Sequence, residues 1–316
     1  MSDKKLRILF MGSPKIAVPS LRALVESHHT LVGVVSQPDR PAGRGQNLTS
    51  PAVALFAKEK GLKLFQPERI KGNGELLQEI KKLSPDVIVI VAYGRILPKE
   101  ILELPPLKSI NLHFSFLPKY RGAAPMQWAL MNGEEETGVT TFFLVEKVDA
   151  GPILLQKKMV IEPEDNVEIL GHRLANAGAQ ILLETIDQLK SGDLQALPQN
   201  DAEATLAPPL KKEDGLIDWN RKAKSIHNQI RGTNPWPGAF TLYKGKILKI
   251  HKTIEIREKK PKSPGEILAS SLEGLEVSCR EGTLLIKEVQ MEGKKKMDVS
   301  EFLKGHPVSP GERLGS

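Results

Sequence analysis

Cysteine is nearly absent from this chain of 316 residues: Cys279 stands alone, so no disulfide can close within the chain, and a reducing, cytoplasmic setting is expected. In the run Leu275-Glu276-Val277-Ser278-Cys279 the thiol reads as a small strand residue and is assigned no chemistry. Long apolar runs are missing too. The most hydrophobic stretch, Val87-Ile88-Val89-Ile90-Val91-Ala92, is far shorter than the ~20 residues a membrane-spanning helix needs, so no membrane partner is expected. The opening residues are charged and pass into a short apolar run broken by Gly12 and Pro14, which reads as a first strand and not a signal peptide. A phosphate-binding glycine turn is also lacking. After that strand comes Gly12-Ser13-Pro14-Lys15-Ile16-Ala17 and not G-x-G-x-x-G, so nothing admits a pyrophosphate to a helix N-terminus and a nicotinamide-dependent oxidoreductase is set aside. No internal repeat is seen.

Acidic residues run short in one region only. Residues 1–205 carry 24 Lys+Arg against 24 Asp+Glu, whereas residues 206–316 carry 21 against 14. The whole excess of +7 therefore sits in the last third, which suggests an attached module for a polyanion, with a merely soluble basic surface as the plainer alternative.

The first 190 residues alternate short apolar runs with helical spacing. Leu6–Met11, Leu31–Val35, Lys63–Phe65, Val87–Val91 and Ile110–His113 read as strands, and their almost unbroken apolarity fits a sheet covered on both faces. Val18–Ser27, Ala52–Lys60 and Gly74–Leu83 read as helices, as does Asn166–Leu189 with Asn166 as its N-cap. Such alternation predicts an α/β fold with a Rossmann-like doubly wound, mostly parallel sheet over residues 1–190. Residues 191–209 lack a period and read as a linker. Over residues 210–316 a helix at Arg221–Arg231 precedes five or six short strands, which suggests a small, basic C-terminal β-barrel. Lys259-Lys260-Pro261-Lys262 and Lys294-Lys295-Lys296 read as lysine clusters at its hairpin tips.

The chemistry is concentrated in two places. Ser109-Ile110-Asn111-Leu112-His113 leads as a strand into Phe114-Ser115-Phe116-Leu117-Pro118-Lys119-Tyr120-Arg121-Gly122-Ala123-Ala124-Pro125. Asn111 and His113 are two apart and share a strand face. A second strand, Val139–Val145, precedes Val148-Asp149-Ala150-Gly151-Pro152, so Asp149 falls in a glycine-containing turn. An amide, an imidazole and an acid together can hold a developing oxyanion and move protons, which is what acyl transfer requires.

This ordered pattern resembles the signature of the folate-dependent formyltransferases. Leu9-Phe10-Met11-Gly12-Ser13-Pro14, Ser36-Gln37-Pro38-Asp39-Arg40-Pro41-Ala42-Gly43-Arg44-Gly45, Val91-Ala92-Tyr93-Gly94-Arg95-Ile96-Leu97-Pro98, Ile217-Asp218-Trp219 and Arg231-Gly232-Thr233-Asn234-Pro235-Trp236-Pro237-Gly238-Ala239 extend the likeness, in order, over nearly the whole chain. The resemblance implies that Asn111, His113 and Asp149 form the active site and that Ser115, Phe116, Leu117 and Pro118 touch the folate. It implies 10-formyltetrahydrofolate as donor without any metal, and the amino group of charged initiator tRNA as acceptor, giving a formylated methionyl-tRNA for translation initiation. Arg40 and Arg44 would lie in a mobile loop that engages this tRNA, the C-terminal barrel would be of the oligonucleotide-binding (OB-like) kind, and the chain would act as a monomer. In such a transfer Asn111 and a suitably protonated His113 would donate to the oxygen, while Asp149 and His113 would work as a pair on the protons, the taker being left open. The chain departs from the family at Lys15-Ile16, where Asp-Phe is usual, and at Phe116, where Leu is usual; the first leaves the methionine pocket open. Two other readings remain. One is the same chemistry on an amino-sugar nucleotide, against which stand Gly122-Ala123-Ala124-Pro125 and the basic last third. The other is a non-catalytic RNA-binding scaffold, against which stands the intact Asn111, His113, Asp149 set.

Overall fold

A computed structural model describes residues 5–42, 47–256 and 262–315. Two compact units emerge. Unit 1 comprises Met1–Pro125, Glu136–Val160 and Gly171–Ala207, and unit 2 comprises Met126–Glu135, Ile161–Leu170 and Pro208–Ser316.

In chain order the elements are β1 (Arg7–Gly12), α1 (Val18–Glu26), β2 (Thr30–Val35), β3 (Arg40–Ala42), β4 (Asn47–Thr49), α2 (Ala52–Glu59), β5 (Leu64–Phe65), α3 (Gly74–Leu83), β6 (Val87–Val91), α4 (Lys99–Leu102) and β7 (Ser109–His113). They are followed by α5 (Pro125–Asn132), β8 (Glu136–Phe143), β9 (Ile153–Val160) and α6 (Val167–Ser191). Unit 1 is built on a seven-stranded sheet in the order β5-β2-β1-β6-β7-β8-β9. The first five strands are parallel to their neighbours, while β8 and β9 pair antiparallel. The apolar runs explain this: all five residues of β6 are buried, as a strand covered on both faces requires, and each such Val or Ile contributes about 1.5–3 kcal/mol. From β1 the chain proceeds outward to β2 and β5, then returns across β1 to β6, so strand order reverses between β1 and β6. Ligands of open α/β sheets settle outside the carboxyl ends of the strands at such a reversal.

The expected N-cap is present. The side chain of Asn166 accepts from the N–H groups of Glu168 at 2.9 Å and Ile169 at 3.0 Å, satisfying two donors that the first turn of α6 leaves free. Where a mobile loop was expected, β3 and β4 form a short antiparallel ribbon with Arg40 opposite Thr49. At its base the Gln66 amide donates to the Gln37 carbonyl and to Asp39. Arg44 lies outside the described residues.

Unit 2 carries α7 (Ala223–Thr233), β10 (Ala239–Tyr243), β11 (Lys246–Ile256), β12 (Ile267–Ser271), β13 (Gly274–Ser278), β14 (Thr283–Met291), β15 (Met297–Asp298) and α8 (Val299–Gly305). Its strands form an antiparallel sheet in the order β10-β11-β14-β13-β12, with β15 on β14. Ile226, Ile230, Leu248, Ile250, Val277, Ile286 and Phe302 belong to one buried cluster. The last residues perform a function the strand pattern does not reveal. Ile267 N–H donates to Glu312 O, Leu314 N–H to Gly265 O, and Gly315 N–H to Leu242 O, so segment 311–315 joins the outer edge of β12 to that of β10. Tyr243 Oη donates to Glu312 at 2.8 Å and fixes this closure. Of the expected lysine clusters, Lys259 and Lys260 lie outside the described residues, Lys262 pairs with Glu266 and Lys296 with Glu288. No helix among the described residues is long and apolar enough to cross a membrane.

Candidate active site

β7 pairs between β6 and β8, so its carboxyl end lies beside the reversal point of the sheet. Val91 is level with Gly12 on one side and with Leu112 on the other, which gathers the ends of β1, β6 and β7. Gln37 ties the row together: its N–H donates to Ser13 Oγ at 3.1 Å and its amide to the Tyr93 carbonyl at 2.8 Å. Tyr93 is itself buried, its hydroxyl has no partner among the described residues, and burial pushes its pKa up to about 12. Lys15 and Ile16 occupy a single 3-10 turn after β1, with Lys15 exposed and Ile16 half-buried.

Asn111 is half-buried between Ile90 and Phe142 on its neighbours. Its amide makes no hydrogen bond among the described residues. His113, opposite Thr140 and buried, meets the edge of the Phe142 ring at 6.4 Å between centroids. Its Nε2 lies 2.9 Å from the Tyr120 carbonyl. A carbonyl can only accept, so Nε2 carries a proton, and in a neutral ring that leaves Nδ1 bare. Nδ1 faces Asp149 Oδ2 at 3.7 Å, beyond hydrogen-bond length, with side-chain exposures of 7% and 12%.

Asp149 occupies the connection from β8 to β9 with φ 49°, a left-handed conformation that Asp tolerates better than most side-chain-bearing residues. Its Oδ2 accepts the Gly122 N–H at 2.8 Å. Two glycines allow this. A Cβ on Gly151 would fall on the Phe143 carbonyl oxygen, and one on Gly122, whose φ is 130°, on that of Ala207. The structure thus brings Asp149 of the β8–β9 connection to within 3.7 Å of His113, with Asn111 two residues before His113 on the same face of β7.

The segment after β7 is held by partners that sequence reasoning missed. Thr140 Oγ1 donates to the Ser115 carbonyl at 2.7 Å and accepts the Leu117 N–H at 3.2 Å, while the Gln156 amide donates to the Leu117 carbonyl at 2.8 Å. Ser115 and Leu117 are fully buried, so of the four residues expected at the folate only Phe116 and Pro118 present surface. The Leu117–Pro118 peptide is cis. Segment 197–207 also packs within unit 1: Leu197 and Ile153 exchange backbone bonds, Arg121 N–H donates to Thr205 O, and Ala207 N–H to Arg121 O. Spacing in sequence gave no hint of these contacts, because the partners lie 23 to 86 positions apart in chain order; only the polar composition of the segment signals available hydrogen-bonding groups. Arg40 stands apart, exposed and paired with Glu68 at 2.8 Å. A pairing this exposed is worth at most about 1 kcal/mol.

Among the described residues one further group could supply metal ligands, His28, His29 and Asp187. The Nδ1 of His29 accepts the Leu6 N–H and its Nε2 lies 3.1 Å from Asp187. Neutral His29 therefore keeps its proton on Nε2 and donates it to the carboxylate, with no lone pair left for an ion.

The chain matches the formyl transferase family over residues 4–186 and the formyl transferase C-terminal domain over residues 209–307. Methionyl-tRNA formyltransferase of Caldanaerobacter subterraneus is 48% identical over 309 residues, covering 98% of this chain and 100% of that protein. The corresponding protein of Desulforamulus reducens is 48% identical over 311 residues, covering 98% of each. Among solved structures, HypX from Aquifex aeolicus in complex with tetrahydrofolic acid superposes with a TM-score of 0.66 at 21% identity, over 99% of this chain and 51% of that one. The chain thus spans about half the length of HypX, and this likeness establishes the fold alone. Identity of this order along the entire length of both proteins, with both family segments in place, means that the chain belongs to the methionyl-tRNA formyltransferase family.

Proposed function

We propose that this chain transfers the formyl group of 10-formyltetrahydrofolate to the α-amino group of charged initiator tRNA, with Asn111, His113 and Asp149 at the reacting centre. The observation that carries the assignment of roles is the Nε2–Tyr120 contact of His113. An α-amine titrates near ~8, so a useful neutral fraction attacks the formyl carbon unaided. Negative charge then develops on the formyl oxygen and positive charge on the nitrogen. Asn111 carries the one side-chain amide of the set without a protein partner, and it is the donor for that oxygen. Neutral His113 cannot donate there, because its only N–H is committed to Tyr120. Its bare Nδ1 instead takes the proton of the attacking nitrogen. The imidazolium so formed is flanked by the Tyr120 carbonyl and by the Asp149 carboxylate, which stabilises it across 3.7 Å. The proton is then available for the folate nitrogen as the C–N bond breaks.

Phe116 and Pro118 supply the exposed part of the folate surface, and the orphaned Tyr93 hydroxyl is a buried donor that a bound heterocycle would satisfy. Arg40 and Arg44 are positioned in sequence for tRNA phosphates, and the basic C-terminal unit for non-specific tRNA affinity. The test is direct: purified protein, 10-formyltetrahydrofolate and methionyl-tRNA are mixed, and N-formylmethionyl-tRNA is measured against an uncharged-tRNA blank. No product above the blank would overturn the proposal, and product from an amino-sugar nucleotide instead would reassign the acceptor.

A further inference from the structure

One side chain joins both turns of the site, and it comes from the segment expected to be a linker. The amide nitrogen of Gln199 donates to the Asp149 carbonyl at 2.8 Å and to the Gly151 carbonyl at 2.7 Å. Its Oε1 accepts from Arg121 Nε at 3.0 Å and from Arg121 Nη2 at 2.8 Å. Backbone carbonyls only accept and a guanidinium only donates, so the amide has one possible orientation and all its hydrogen-bonding capacity is used. Arg121 is buried, and its Nη1 reaches Asp201 at 2.7 Å.

We propose that Gln199 is a positioning residue for formyl transfer, holding Asp149 and His113 in register by clamping the two turns that present them. The inference rests on the functional reading above. Asp149 sits in a left-handed conformation that its neighbours must enforce, and Gln199 grips the carbonyls on either side of that turn's bend. Through Arg121 the same amide fixes the Tyr120–Gly122 turn. That turn returns two contacts to the site: Tyr120 O to His113 Nε2 and Gly122 N–H to Asp149 Oδ2. Removing the clamp leaves every reacting group present and lets their geometry drift. A displacement of about 1 Å in a reacting pair costs on the order of 100-fold in rate.

The experiment compares two substitutions and one control in steady-state formylation, with each substrate varied in turn and thermal unfolding measured alongside. Gln199→Met keeps length and removes every bond. Gln199→Glu keeps an acceptor for Arg121 and replaces the two donations by a carboxylate oxygen that both carbonyls repel. Lys82→Ala is the control: it breaks an exposed pair with Glu79 on α3 and touches neither turn. Both Gln199 variants should lose at least tenfold in kcat, with KM for donor and tRNA within about threefold of the wild type, while Lys82→Ala keeps kcat within about twofold. A folded Gln199→Glu protein with wild-type kcat would overturn the proposal, as would a loss confined to KM. If Gln199→Met fails to fold, Gln199→Glu decides; if neither folds, the residue is structural and the proposal fails. A wild-type protein inactive on methionyl-tRNA refutes the functional reading instead, which separates the two.

Discussion

Replacing Asn111 by Ala separates chemistry from stability more cleanly than any other change in the site. Asn111 is half-buried in β7 and its amide bonds to nothing else among the described residues, so truncation leaves no protein group unsatisfied. The cost to folding should stay within about 0.5 kcal/mol, a shift of the melting temperature below about 2 °C for a chain of this size. The cost to catalysis is of another order. Loss of one donor to a developing oxyanion lowers kcat about 100- to 1000-fold, or about 2.7–4 kcal/mol of transition-state stabilisation, and KM for both substrates should barely move. His113→Ala provides the contrast: it removes the Nε2–H that donates to the Tyr120 carbonyl, so about 1–3 kcal/mol of stability should go with the activity. The assay is single-turnover formylation of methionyl-tRNA paired with thermal melts of both variants. An Asn111→Ala enzyme within threefold of wild-type kcat would refute the oxyanion role, and one with a melting point as depressed as that of His113→Ala would show that the amide serves the fold.

Gly151→Ala would drive a Cβ into the Phe143 carbonyl oxygen at the start of the β8–β9 connection; it should cost about 1–3 kcal/mol or more in denaturant unfolding and most of the activity, and a neutral effect on both would mean that the turn gives way. Glu312 is held down to about 2 by the Ser309 N–H, then by Tyr243 and Lys244. Its folded pKa lies below the unfolded 4.5, so its contribution is complete above about pH 4.5 and lost as pH falls toward about 2; Glu312→Gln should flatten unfolding stability measured across that window. Replacing Arg40 and Arg44 together by Ala should raise KM for methionyl-tRNA and leave the folate KM alone, and paired kinetics with an unchanged tRNA KM would remove the loop from tRNA binding.

The parallel strands were legible because a strand covered on both faces has no polar alternation to hide it: Val87–Val91 reads as buried and is buried. Asn166 declared the start of its helix by the chemistry of capping. Strand periodicity put Asn111 and His113 on one face and a glycine turn after the next strand, but it was the resemblance to the folate-dependent formyltransferases that singled out these two and Asp149 as candidates. What remained hidden were hydrogen bonds formed across long separations. Nothing local to Thr140 or Gln156 announces that they staple the segment after β7, and a stretch rich in Ala, Pro, Gln and Asn looks like a linker until its backbone pairs with Ile153 and Arg121. The tautomer of His113 was equally illegible, since it is set by a carbonyl seven residues away in a turn whose shape no propensity specifies.

The closure of the C-terminal sheet by residues 311–315 bears on how this unit avoids self-association. Without that segment the outer edge of β12 and the Leu242 end of β10, whose Phe240 carbonyl is already met by the Ile217 N–H, would present open N–H and C=O groups, and such edges are templates on which another chain can add a strand. The contacts that cover them join Leu242 to Gly315 and Gly265 to Leu314, separations long enough that loop-closure entropy makes them late events in folding. During that interval the unit has a full antiparallel core, a bare margin along β12 and a half-covered one along β10. Its exposure to intermolecular β-pairing is therefore set by how quickly five residues find their place, and the small Gly311 and Gly315, together with the Tyr243–Glu312 bond, are what the sequence provides to hasten and hold that last addition.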